Sequence, residues 1–297
     1  MKKITGTVFV LWALLVVPAF SKANVVVTLP WIGSIVREIG KDKIDVTVLV
    51  KQNQDPHYIE AKPSLVVAAR RADIIMYNGL DLEIGYLPVI VETSKNPRIQ
   101  SGAPGNFDCS RYVAVIEKHP SADRSMGDVH PLGNPHYHFS PKNIGHVAEG
   151  MADVLSKGDP GNEAFYRANL VSFKERLTAK EKYWNSLPLK DRQFVCYHNI
   201  FSYLANEFGV KFVGSIEEKP GIPPSAKSIE GLIEKMKKAK PEAILVTSYD
   251  PQKQAQCISE KTGVKWIVVP HDVGAIEGAN DWFSFMDRIV TLLEKGE

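Results

Sequence analysis

Cysteine is scarce in this chain: Cys109, Cys196 and Cys257 are the three found in 297 residues. That excludes a small disulfide-stapled scaffold, and a chain this long buries enough apolar surface to need no staples. An excess of charge of one sign is missing as well. The 36 lysines and arginines face 34 acids, and three of the bases, Lys2, Lys3 and Lys22, sit in an acid-free N-terminal stretch. Those three subtracted from 36 leave 33 bases against 34 acids, a net of −1, so there is no field that would seek nucleic-acid phosphates. The 21 glycines and 19 prolines follow no short repeat, and 44% of residues are hydrophobic, which excludes a disordered tail, a collagen and a coiled coil. Three catalytic signatures are also absent: a His-Glu-x-x-His helix, a Gly-x-Ser-x-Gly elbow and a Gly-x-x-x-x-Gly-Lys-Ser/Thr loop.

One apolar run is present near the start. Lys2 and Lys3 lead a stretch from Val8 to Phe20, with Ser21 and Ala23 at the small-residue positions of a cleavage site, so residues 1–23 read as a signal peptide and the mature chain as starting at Asn24. A membrane anchor would need about 20 apolar residues, and Pro18 interrupts this shorter run. No cysteine lies near the expected cleavage point. The expectation is a protein of the periplasm with no lipidation cysteine.

The rest alternates short β-branched runs with longer runs of helical period, the pattern of βα units around mostly parallel sheets. Expected strands are Asn24 to Thr28, Asp45 to Val50, Asp73 to Tyr77, Tyr112 to Ile116, Gln193 to Tyr197, Val210 to Gly214, Ala243 to Thr247 and Lys265 to Val269. They fall into two groups of four. Between the groups, Tyr166, Leu170, Phe173, Leu177 and Trp184 repeat at helical spacing. The expected fold is therefore α/β, two Rossmann-like lobes with four-stranded sheets joined by one long helix. The N-terminal lobe would be 24–160, the linker helix 161–187 and the C-terminal lobe 188–297. Ligands of open α/β sheets sit at the carboxyl ends of strands, so the loops after the strands are where chemistry is sought.

Histidine supplies the candidates. His57, His136 and His271 each follow a proline in a turn-rich loop, and His198 directly follows the run Phe194 to Tyr197 at a strand end. Residues distant in sequence but all at strand ends can converge in the cleft, and three imidazoles with one carboxylate suit Zn²⁺ better than the all-oxygen preferences of Mg²⁺ or Ca²⁺. His146 reads as a helix-surface residue. His119 and His130 lie in a polar stretch, 117–133, expected to be solvent-exposed, with weak metal capture as the alternative. His138 would share a face with His136 if the chain were extended. Cys196, two residues before His198, is either a soft ligand or a buried apolar thiol. Cys196 and Cys257 are candidates to pair, leaving Cys109 free.

Five segments carry a family likeness: Asp55-Pro-His-Tyr-Ile-Glu-Ala-Lys-Pro-Ser64, Arg71-Ala-Asp-Ile-Ile-Met-Tyr-Asn-Gly79, Asn134-Pro-His-Tyr-His-Phe-Ser-Pro141, Tyr197-His-Asn-Ile-Phe-Ser-Tyr-Leu204 and Pro270-His-Asp-Val-Gly274. In this order they resemble the motifs of the zinc/manganese solute-binding proteins of ABC transporters, the ZnuA/TroA-like cluster. The resemblance implies one divalent metal ion between two lobes, delivered to a membrane permease by a monomeric carrier that is not an enzyme. It places the metal ligands at His57, His136, His198 and Asp272. Histidine at the third position is the zinc-branch residue, where manganese members carry glutamate, so Zn²⁺ is the expected cargo and Mn²⁺ the alternative. His271 beside Asp272 departs from the family pattern, and 217–228 is an altered form of its Glu-Pro-Ser-Ala loop. Asp55 or Glu60 would orient the rings. The competing readings are a zinc-dependent hydrolase, for which His136-Tyr-His138 offers a His-x-His but Ser140 replaces the aspartate, and a surface protein using zinc for stability.

Overall fold

Short apolar runs fold here as buried parallel strands. The computed structural model describes residues 22–119, 130–219 and 221–296, so most of the expected signal peptide lies outside the described residues. Strands β1 (Ala23–Val27), β2 (Ile44–Val48), β3 (Ile74–Tyr77) and β4 (Asn106–Asp108) form one sheet, and β5 (Gln193–Cys196), β6 (Lys211–Ser215), β7 (Ala243–Val246) and β8 (Trp266–Val268) form the other. The strand orders are β2-β1-β3-β4 and β6-β5-β7-β8, the same winding twice, and every pairing is parallel. Helices on the faces explain why Val25, Val26 and Val27 of β1 and all four residues of β7 are buried.

The helices are α1 (Pro30–Gly40), α2 (Pro63–Arg71), α3 (Leu87–Ser94), α4 (Pro141–Gly158), α5 (Glu163–Ser186), α6 (Ser202–Phe208), α7 (Ala226–Ala239), α8 (Gln252–Thr262) and α9 (Trp282–Lys295). Proline opens α1, α2 and α4, where its fixed φ suits the first turn and its missing N–H costs nothing. The 24-residue α5 is the connecting helix, about 36 Å long at 1.5 Å per residue. Its inner face buries Tyr166, Leu170, Phe173, Leu177 and Trp184, and the Trp184 indole donates to Asp287 of α9 at 2.8 Å. One continuous apolar core runs from β1 and α1 through α5 to Phe194, Leu204 and α9. A smaller core, including Ile233, Met236 and Ile258, fills the outer side of the second sheet.

One expected strand is wrong. Tyr112 to Ile116 is not in a sheet: Tyr112 closes a 3₁₀ turn, and the backbone beyond it bonds to side chains instead. The Ala114 N–H donates to Asn143 and the Ile116 N–H to the Tyr203 hydroxyl. The fourth strand is Asn106-Phe107-Asp108, too short and too poor in β-branched residues to signal itself.

Candidate metal centre

Each sheet turns its carboxyl ends toward a shared cleft, and the loops leaving them carry imidazoles. His57 follows β2 in a turn built by Asp55, whose carboxylate accepts both the His57 backbone N–H at 2.9 Å and its Nδ1 at 2.7 Å. With Nδ1 engaged, Nε2 is the nitrogen turned to the cleft side. Burial pushes the Asp55 carboxyl up, but the bond and attraction from His57 outweigh it and hold the group below the usual range. His198 follows β5, and its Nδ1 is 2.6 Å from Glu217 beyond β6, which again leaves Nε2 facing inward. His136 sits just before the 3₁₀ turn Tyr137–Phe139, its N–H bonded to the Asn134 side chain at 2.9 Å. It is buried, and burial first, then repulsion from His57 and His198, holds its pKa well below the ordinary histidine value. That ring is neutral and available as a donor.

His57, His136 and His198 each offer a nitrogen within 4.8 Å of the others. Their ring centroids form a near-equilateral triangle of 5.7, 6.0 and 5.9 Å. A tetrahedral zinc with bonds of roughly 2.0–2.1 Å asks for nitrogens about 3.3 Å apart, so modest closure brings the three to one ion. Beside them opens a cavity of about 330 Å³ lined by residues of both lobes, among them Asn134, His136, Cys196, His198 and Glu217.

Asp272 is not in this group, the one such group among the described residues. Its carboxylate accepts the Val273 N–H at 2.6 Å and the Trp31 N–H in the first turn of α1, a place where the helix end favours negative charge. Burial pushes this carboxyl up to about 8. His271 packs on Tyr249 with centroids 4.4 Å apart, and burial pushes its pKa down to about 3. His138 also lies apart: its Nε2 bonds the His271 carbonyl at 2.8 Å across the cleft, and its ring stacks on Trp31.

Two other expectations are corrected. His130, expected in solvent, puts Nε2 3.1 Å from Nε2 of His57. Cys109, Cys196 and Cys257 are all free thiols, so Cys196 and Cys257 do not pair. The Cys196 thiol is buried, which pushes it up to about 12, and it stands outside the ligand group. Asp55 orients a ring as expected, whereas Glu60 is exposed. Glu217, which orients His198, went unrecognised as such in the sequence, because only the pairing of β5 with β6 brings it there.

Two wound α/β lobes with imidazoles converging between them define a cleft-binding protein for a small ligand. A family model described as "Zinc-uptake complex component A periplasmic" (ZnuA) matches residues 25–296, and the chain belongs to that family. It is 30% identical over 255 residues to the metal ABC transporter substrate-binding lipoprotein ScbA of Streptococcus cristatus, covering 82% of this chain and 78% of that one. Against the manganese ABC transporter substrate-binding lipoprotein PsaA of Streptococcus mitis it is 29% identical over 286 residues, 89% and 88% of the two chains. Solved structures share the fold: a zinc-bound ZnuA deletion mutant (TM-score 0.77, 22% identity, 92% of this chain and 97% of that one) and a Mn-bound periplasmic metal binding protein from Candidatus Liberibacter asiaticus (TM-score 0.71, 22% identity, 92% and 100%).

These relatives correct the expected location. Both streptococcal proteins are named lipoproteins, so the assignment to a lipid-free periplasmic protein is withdrawn.

Proposed function

We propose that this chain is the metal-binding component of an ABC-type importer and that His57, His136 and His198 hold its cargo, a single Zn²⁺ ion, for delivery to a membrane permease. The observation that carries this reading is the triangle of three imidazoles at the carboxyl ends of both sheets. Two of the rings have Nδ1 tied to a carboxylate, the arrangement that fixes the tautomer and raises the basicity of a metal-ligating histidine. Neutral nitrogen donors favour Zn²⁺ over Mn²⁺, which prefers oxygen. The manganese reading is favoured by the name of the S. mitis relative.

Three histidines alone leave a coordination position open on a tetrahedral ion. Family membership, not coordination number, supports binding over catalysis. The lobe boundaries we propose remain 24–160 and 188–297, with 161–187 as the connector.

The test is metal content after purification without added metal, followed by competition between Zn²⁺ and Mn²⁺ in the wild type and in His198→Glu. We expect the wild type to prefer Zn²⁺ and the variant to shift toward Mn²⁺. A wild type that retains neither ion overturns the reading.

A further inference from the structure

His136 lies at the start of a single 3₁₀ turn, and both of its chain neighbours are held by one residue at the carboxyl end of β3. The Asn78 Nδ2 donates to the Pro135 carbonyl at 3.1 Å, and the Tyr137 hydroxyl donates to the Asn78 carbonyl. His136 sits between these two anchors. Asn78 follows β3 directly, at the carboxyl edge of the sheet, and is fully buried.

Asn78 is itself held from below. The Glu83 carboxylate accepts the Asn78 N–H at 2.7 Å, the Gly79 N–H at 3.0 Å and the Thr28 hydroxyl at 2.7 Å, so it ties the ends of β1 and β3 together. A tight turn returns the chain to make this possible: Gly79, Leu80 and Asp81 have φ of 81°, 54° and 62°. Two successive non-glycine residues in the left-handed region cost conformational energy that surrounding contacts must offset. A side chain at Gly79 would also run into the Asp108 carboxylate. Glu83 is only 3% exposed and no ion pair among the described residues includes it; a buried carboxyl group without a counter-charge is costly, and these donors offset part of that cost.

We infer that Asn78 and Glu83 form a positioning clamp that sets the direction of the His136 ring, and hence the affinity of the three-histidine site, without touching the ion. This rests on the metal-binding reading above. Removing such an outer support of a ligand typically weakens binding by about 10–100-fold. His57 and His198, which have their own carboxylates, are not expected to compensate, because neither Asp55 nor Glu217 bonds His136.

The test uses the full chain with Asn78→Ala, Glu83→Gln and Tyr137→Phe. Zn²⁺ affinity is read by chelator competition, and the visible spectrum of bound Co²⁺ reports the coordination geometry. We expect about 10–100-fold weaker Zn²⁺ binding and an altered Co²⁺ spectrum in all three. Tyr137→Phe keeps its ring packing and removes only the hydroxyl bond, so it decides the matter if a buried-polar variant fails to fold. Lower melting temperature with unchanged affinity and spectrum assigns the clamp to stability alone and overturns the inference. A wild type that binds neither Zn²⁺ nor Co²⁺ overturns the metal reading beneath it.

Discussion

At the proposed site protons and metal ions would compete for the same lone pairs on His57, His136 and His198. Burial keeps His136 neutral well below the usual range, and ligating imidazoles must all be neutral at once. Zn²⁺ affinity is therefore expected to fall as pH drops from about 7 to about 5; a flat affinity over that interval, measured by competition with a chelator of known pH dependence, would count against a three-histidine site. Asp272 titrates with the opposite consequence. Its pKa of about 8 in the fold stands above the unfolded value, so between roughly pH 4 and pH 8 the native state binds the proton that the unfolded chain has lost. Stability thus falls as pH rises through that window. Asp272→Asn keeps an oxygen acceptor for Val273 and Trp31 but cannot ionise, and denaturant melts of the metal-free protein at pH 5 and pH 8 should show the wild type losing stability relative to this variant. Equal slopes would mean that the carboxylate is ionised in the fold.

Among the elements, α5 is the one on which both lobes depend. It packs against α1, α4 and α9, and Phe173, 3% exposed, lies in its inner face against Phe283 with centroids 5.1 Å apart. Phe173→Ala is expected to cost about 3–5 kcal/mol and to lower a single unfolding transition; separate transitions for the two lobes in calorimetry would show that α5 does not couple them. The sequence made this helix legible because Tyr166 to Trp184 repeat at 3.6-residue spacing, and it made seven strands legible because β-branched runs have few other uses. Asn106–Asp108 was hidden, since its pairing comes from β3 rather than from its own residues. The site divides in the same way. Proline-histidine turns and strand ends expose His57, His136 and His198 in one dimension, whereas the capture of Asp272 by α1, the approach of His130 to His57 and the reach of Glu217 to His198 depend on which loops meet in space.

At the scale of the whole molecule the cleft is not a seam between independent bodies. The main core passes beneath it without interruption, and the cleft walls are laced by polar contacts from lobe to lobe: His138 to the His271 carbonyl, the Trp282 indole to the His138 carbonyl at 2.9 Å, and the Tyr203 hydroxyl to the Asn134 carbonyl at 3.0 Å. Such a frame favours loading and unloading through small shifts of the loops that carry the ligands over wide opening of the lobes.

The proposed ligands come from positions 57, 136 and 198, on three separate loops, so an unfolded chain holds no preformed site and the binding energy of an ion held there accrues to the native state alone. At free metal 100-fold above the dissociation constant that is about 2.7 kcal/mol, or roughly a hundredfold fewer unfolded molecules exposed to cleavage. Loaded copies should accordingly outlast empty ones under protease, which timed digestion with and without Zn²⁺ would reveal as a difference in half-life. Turnover would then track supply, and the carrier's own abundance would register how much metal surrounds the cell.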